Sequence, residues 1–134
     1  MATILMEYTG NLRTKSKHLL SGKELMTDAP VDNQGKGETY SPTDLVANAL
    51  ASCILTTIGI AANFHQFNID GTKARITKIM KSNPRAIAEV KIELTFPFTN
   101  YPDKVKRIIM STIKNCPVAL SLHPNVVQHV TTNI

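Results

Sequence analysis

Tryptophan is absent from the 134-residue sequence, and cysteine occurs only twice. Two cysteines are too few for a disulfide-stapled scaffold, and Cys53 and Cys116 do not form a Cys-x-x-Cys pair, so thioredoxin-like exchange between near neighbours in sequence is unsupported. Aromatic residues make up 5% of the chain. They are not interleaved with basic residues as a base-stacking platform requires. There is no polybasic tail either: the formal charge of +5 is the balance of 15 Lys/Arg and 10 Asp/Glu. The basic residues of the second half stand singly among apolar ones from Lys73 to Lys114. That spacing describes solvated faces of helices and strands, and nucleic acid is not an expected partner.

Other signatures are missing as well. No Gly-x-Gly-x-x-Gly, P-loop or Gly-x-Ser-x-Gly pattern occurs, which speaks against dinucleotide binding and serine hydrolysis. His18, His65, His123 and His129 do not share ligand spacing with cysteines or acids, so no metal is expected. The opening residues MATILMEY lack a basic leader followed by an apolar stretch, and a cytoplasmic location is expected. The longest mostly apolar run, Leu45–Ala62, is interrupted by Asn48, Ser52, Thr56 and Thr57 and follows Asp44. It reads as a buried helix, with no membrane partner expected.

What is present is enough apolar material, 43% of residues, for one ordinary domain over residues 1–134. Ala2–Tyr8 and Thr14–Leu20 flank a Gly10-Asn11 turn signal and predict a hairpin, with a third strand over Lys23–Asp28. The Pro- and Gly-containing stretch Pro30–Tyr40 reads as an exposed loop whose glycines permit mobility. Ser41-Pro42-Thr43-Asp44 is the clearest local signal: a capping residue, a proline at the first helical position and an acidic capping-box partner. The helix that follows has two apolar stripes, one through Leu45, Ala49, Cys53, Ile60 and Phe64, the other through Val46, Leu50, Ile54 and Ile58. Such a helix is expected to be covered nearly all round, in part by a second subunit.

Strands are expected over Lys73–Lys81 and Ala86–Phe96, bracketed by Gly71 and Asn83-Pro84, as an antiparallel pair. Val105, Ile108, Ile109 and Ile113 describe an amphipathic helix with Lys104, Arg107 and Lys114 on its other side. Pro117 ends it or starts a short turn, and Asn125–Thr132 supplies a last strand. The order is that of an α+β domain.

Each cysteine carries a distinct argument. Cys53 lies in apolar surroundings on the long helix, where burial disfavours a thiolate unless a cation or hydrogen bonds reverse the effect. Cys116 precedes Pro117 at the start of a short helix, where free backbone amides favour a thiolate. Taken alone, Cys116 is the better candidate for reactivity and Cys53 has the better pocket. Taken together they permit a peroxide cycle, in which one thiolate is oxidised to a sulfenic acid and the second thiol condenses with it.

Ser41–Cys53, SPTDLVANALASC, and Asn115–Pro124, NCPVALSLHP, together resemble the two-cysteine signature of the OsmC-like family, which includes organic hydroperoxide resistance proteins. The resemblance covers essentially the whole chain. It implies an intertwined homodimer with antiparallel sheets and a long central helix. It also implies a thiol-dependent peroxidase that reduces organic hydroperoxides to alcohols, with Cys53 as nucleophile and Cys116 as resolving thiol. No bound cofactor is implied; the reductant is an external dithiol, of lipoyl type. Family peroxidases hold the thiolate with an arginine from the N-terminal hairpin, which Arg13 matches, and a glutamate directly after the proline, where this chain has Thr43. Asp44 and Glu38 are the nearby acids. Phe64, Phe96 and Phe98 are candidate pocket residues, with Tyr40 at its mouth. The departure at Thr43 motivates the alternative of a non-catalytic small-ligand or stress-response binding protein with the same fold.

Overall fold

The computed structural model describes all 134 residues, and the chain divides into two compact units, Met1–Leu45 and Val46–Ile134. The first unit holds β1 (Ile4–Gly10), β2 (Arg13–His18) and β3 (Glu24–Asp28) in one antiparallel sheet of order β1-β2-β3. Gly10, Asn11 and Leu12 all have positive φ, 91°, 55° and 63°, and the pairing shifts between Tyr8 and Gly10. A glycine at the start of this turn removes the Cβ clash that a left-handed residue would carry there. One face of the sheet presents Ile4, Met6, Tyr8 and Leu25, all exposed. Its other face mixes Glu7, Lys15, Lys17 and Glu24 with Leu5 and Met26.

The expected loop after β3 is present and mostly exposed, and it carries one short helical turn. Val31–Asn33 form a 3₁₀ turn, Gly35 donates its N–H to the Pro30 carbonyl at 2.9 Å, and Gly37 has φ of 62°. A Cβ on Gly35 would lie 1.6 Å from the Ala29 carbonyl oxygen. This glycine therefore serves close backbone packing.

α1 runs from Pro42 to His65, and its start is the capping box that the sequence announces. The Asp44 N–H donates to Ser41 Oγ at 3.1 Å, and the Ser41 N–H donates to Asp44 Oδ2 at 2.9 Å. Both bonds satisfy donors that a helix start leaves unpaired. At the other end Gln66 takes the left-handed conformation, φ 59°, and the Phe67 N–H reaches back to the Ala62 carbonyl at 3.0 Å. That is a Schellman closure with glutamine in the place glycine usually takes.

The second unit contains the body of α1 together with β4 (Lys73–Lys81), β5 (Ala86–Thr95), α2 (Asp103–Lys114), α3 (Pro117–Ser121) and β6 (Val127–Thr132). Its sheet has the order β4-β5-β6. β4 and β5 are antiparallel as expected, but β6 lies parallel to β5, so this sheet is mixed. The intervening α2 and α3 supply the long crossover that a parallel pair requires. Alternation along β5 buries Val90, Ile92 and Leu94 and leaves Lys91 and Glu93 exposed.

Those three side chains form one core with Leu50, Ile54 and Ile58 of α1 and Ile109 and Ile113 of α2. Tyr101 closes one end, its hydroxyl donating to the Asn68 carbonyl at 2.7 Å and its ring edge-on to Phe67, Phe96 and Phe98. α1 is long and apolar enough to cross a bilayer by composition alone, but Ala47, Leu50, Ala51, Ile54, Ile58 and Ala62 make one buried stripe along it. The second stripe is not covered within the chain: Ile60 and Phe64 are 70% and 81% exposed. A three-stranded sheet and one amphipathic helix have only enough apolar surface to cover a single side of so long a helix.

Candidate functional site

The second unit brings the two cysteines together. Cys53 sits midway along α1, where the helical repeat puts it beside the buried stripe, so its side chain packs on the core yet stays partly exposed. Cys116 ends the segment after α2, caps α3 and is fully buried. Both thiols are free, and each is within hydrogen-bonding reach of the other.

Their environments differ in sign. The backbone N–H of Val118, in the first turn of α3, donates to the Cys53 sulfur and draws its pKa below the ordinary thiol range; the Cys116 thiol and the Thr57 hydroxyl, 3.9 Å away, act in the same direction. Together these donors outweigh the opposing effect of burial. For Cys116 burial dominates and pushes the pKa up, despite the Ala119 N–H donating to its sulfur at 3.4 Å, and a negative charge on Cys53 raises it further. Cys53 is thus the more acidic thiol of the pair and Cys116 the less acidic.

This reverses the ranking obtained by considering each cysteine alone. The amides at the start of α3 do favour a thiolate, but one of them serves the sulfur on the neighbouring helix, while the sulfur on the α3 cap is buried. Val118 was not visible as a site residue because its contribution is a backbone donor, available to any residue except proline. Thr57 had a signal, one helical turn beyond Cys53, that side-chain chemistry alone did not single out.

Arg13 lies in the first unit, at the start of β2. Its Nε donates to Asp28 Oδ1 at 2.6 Å and its Nη2 to Asp28 Oδ2 at 2.9 Å, with Glu38 Oε1 at 3.1 Å from the same Nη2. Asp28 is 1% exposed, and its Oδ2 also accepts the Glu38 N–H at 3.1 Å. The Arg13 fork holds the Asp28 carboxyl below the usual carboxylate range, against the upward effect of burial, and Asp28 in turn raises the guanidinium's pKa. Arg13 is therefore a half-buried, anchored group. Asp44 is occupied in the α1 cap. Of the aromatic candidates, Phe96 is buried against Tyr101, Phe98 is half exposed on the same ring, and Phe64 is exposed beside His65. Tyr40 is half exposed, and its carbonyl accepts the Asp28 N–H at 3.0 Å.

An α+β fold with two three-stranded sheets, a long helix bearing one thiol and a short helix capped by another defines a class of two-thiol proteins. The chain belongs to the OsmC-like protein family, whose model matches residues 35–130. A solved structure from Psychrobacter arcticus 273-4, described as an osmotic-stress-induced and detoxification-response protein, is similar at 50% identity with a TM-score of 0.94, covering 99% of this chain and 96% of that one. The organic hydroperoxide resistance protein OsmC of Legionella pneumophila shares the fold at 16% identity and TM-score 0.75, covering 100% and 98% of the two chains. OhrB of Bacillus subtilis, an organic hydroperoxide resistance protein, does so at 14% identity and TM-score 0.69, covering 99% and 98%. No curated protein sequence matches the chain.

Proposed function

We propose a peroxidase-like role in stress response, which the OsmC and organic hydroperoxide resistance neighbours support at the level of the family. We propose, more specifically, that the protein is a cytoplasmic homodimeric peroxidase that reduces organic hydroperoxides to alcohols through a Cys53–Cys116 disulfide cycle. The observation that supports this reading is the asymmetry of the thiol pair: a partly exposed Cys53 whose pKa is drawn down beside a buried Cys116 whose pKa is pushed up. Attack by the Cys53 thiolate on the terminal peroxide oxygen breaks the O–O bond, giving Cys53 sulfenic acid and an alkoxide that takes a proton to leave as alcohol. The Cys116 thiol then displaces water from the sulfenic sulfur, forming the disulfide. An external dithiol, for which a lipoyl-type compound fits the resemblance, reduces that disulfide and leaves as its own cyclic disulfide.

Arg13 is assigned to stabilise the Cys53 thiolate. The exposed Ile60 and Phe64 on α1, and the exposed apolar face of the first sheet, support a second copy as the element that covers them. The apolar setting of Cys53 favours an alkyl hydroperoxide over hydrogen peroxide.

The test supplies an organic hydroperoxide and a reducing dithiol to wild type, Cys53→Ser and Cys116→Ser. Wild type should turn over, and Cys53→Ser should be inactive. With the dithiol withheld, Cys116→Ser should consume about one equivalent and accumulate a sulfenic acid that dimedone traps. Equal turnover in all three rejects the mechanism and favours a non-catalytic binding protein.

A further inference from the structure

We propose that Gln128 of β6 is a positioning residue for the thiol pair: its side-chain amide holds α3 by the Ala119 carbonyl and so fixes the two backbone N–H groups that face the sulfurs. The inference rests on the roles given to Cys53 and Cys116 above and adds the residue that keeps α3 in register with them. Cys53, α3 and β6 all belong to the second unit.

The argument begins with the size of α3. It has five residues, Pro117–Ser121, far fewer than the roughly 12 below which a helix is marginal without tertiary support. Two of its hydrogen bonds are local: the Ala119 N–H donates to Cys116 Sγ at 3.4 Å, and Ser121 Oγ donates to the Pro117 carbonyl at 2.8 Å. These shape the turn and do not place it. Val118 and Ala119 pack against the core, but apolar contact is non-directional and leaves a single turn free to roll. Gln128 supplies direction, its Nε2 donating to the Ala119 carbonyl at 3.0 Å from another element.

Strand alternation shows that a glutamine at this position is not packing material. Val126 and Val130, two residues to either side, pack against the core, and Gln128 itself is paired with the buried Val90 of β5. Period-two alternation calls for another apolar side chain there, and a polar one is costly unless it is bonded. Its partner has the matching need, because the last carbonyls of a helix have no acceptor role within it. Ala119 is consequently bonded at both of its backbone groups, to the sheet through its carbonyl and to the Cys116 sulfur through its N–H. The preceding N–H, that of Val118, faces the Cys53 sulfur.

Two consequences follow for the chemistry. Without the Gln128 bond, α3 turns away from α1, the Val118 N–H leaves the Cys53 sulfur, and the Cys53 thiolate loses a donor. The second step suffers as well. In it the Cys116 sulfur forms the S–S bond as the S–O bond of the Cys53 sulfenic acid breaks, the thiol proton leaving with the hydroxyl as water. That displacement needs the two sulfurs held in line, so a shifted α3 slows it. A contact that served stability alone would weaken the fold and change neither step in the folded protein. Asn133, just beyond β6, provides that comparison: its amide bonds the Phe96 N–H at 2.8 Å and the Phe96 carbonyl at 3.1 Å, away from α3.

The experiment compares full-length wild type, Gln128→Met and Asn133→Ala. Methionine keeps the unbranched shape of glutamine and removes the donor. Two quantities are measured: the pH dependence of Cys53 alkylation by iodoacetamide, and the rate of Cys53–Cys116 disulfide formation after one equivalent of an organic hydroperoxide with no dithiol present. Gln128→Met should move the alkylation midpoint upward and slow disulfide formation about tenfold. Asn133→Ala should lose stability in urea and keep the wild-type midpoint and rate. A wild-type midpoint in folded Gln128→Met overturns the proposal, as does an equal shift in Asn133→Ala. Should Gln128→Met fail to fold, the wild-type side-chain amide decides: its protons should exchange with solvent more slowly than those of the exposed Gln66, and equal exchange overturns the proposal. Wild type that forms no disulfide with hydroperoxide would instead reject the peroxidase reading, and the alkylation midpoints would still report on Gln128.

Discussion

Among individual residues, the two sulfurs are distinguished by what surrounds them. Cys53 is served by an amide, a thiol and a hydroxyl, and Cys116 is held in the core. Because the Cys53 pKa is lowered, its alkylation should remain fast at pH values where a free cysteine has slowed, and should fall only as the pH drops through the lowered value. Val118→Pro removes the leading donor from a first-turn position where proline is tolerated. It should slow alkylation at neutral pH and recover at alkaline pH, with the circular dichroism spectrum retained. Thr57→Val should give the smaller shift, since its hydroxyl is 3.9 Å from the sulfur.

Asp28 carries a separate pH signature. Its folded-state pKa is depressed, so the Arg13 contact stabilises the fold above the ordinary carboxylate pKa of about 4 and loses that effect as pH falls through the lower folded value. The urea stability gap between wild type and Asp28→Asn should therefore be constant near neutral pH and shrink in acid. The acid at the end of β3 was on view in the sequence, but its partner was not. Pairing Arg13 with Asp28 depends on the β2–β3 register, which a one-residue slip would invert.

Secondary elements were more legible than their contacts. The α1 start follows from Ser41-Pro42-Thr43-Asp44, because each residue acts on its immediate neighbours, and both predicted cap bonds are present. Ser41→Ala should cost about 1 kcal/mol in chemical denaturation through the lost cap. The strands from Lys73 and Ala86 were marked by Gly71 and Asn83-Pro84. By contrast, the parallel direction of β6 is fixed by how the crossover through α2 and α3 packs, and no local pattern encodes that. The stretch Pro30–Tyr40 is an exposed loop as its composition indicates, but the close packing of Gly35 on Ala29 within it has no sequence signal. Gly35→Ala should destabilise the first unit, because its Cβ would meet the Ala29 carbonyl at 1.6 Å.

For the molecule as a whole, the sequence correctly gave an α+β family fold with a long apolar helix, but its two apolar stripes have different fates. Leu50, Ile54 and Ile58 are buried within the chain, whereas Ile60 and Phe64 are not. The stripes look alike in sequence because hydrophobicity records that a side chain avoids water and does not record which chain shelters it. Under the proposed homodimer, Phe64→Glu should shift sedimentation toward single chains while altering the unfolding of the isolated chain little, since the position is exposed there. An unchanged association state would remove Phe64 from the interface.

The start of α3 carries one more consequence. The amides of Val118 and Ala119 are directed at different sulfurs, one on each side of the proposed bond. Linking the two sulfurs would change the electron density seen by adjacent protons on a single helical turn. In a nitrogen-labelled sample, this pair of resonances would form an intrinsic gauge of the proposed disulfide, readable without any attached probe.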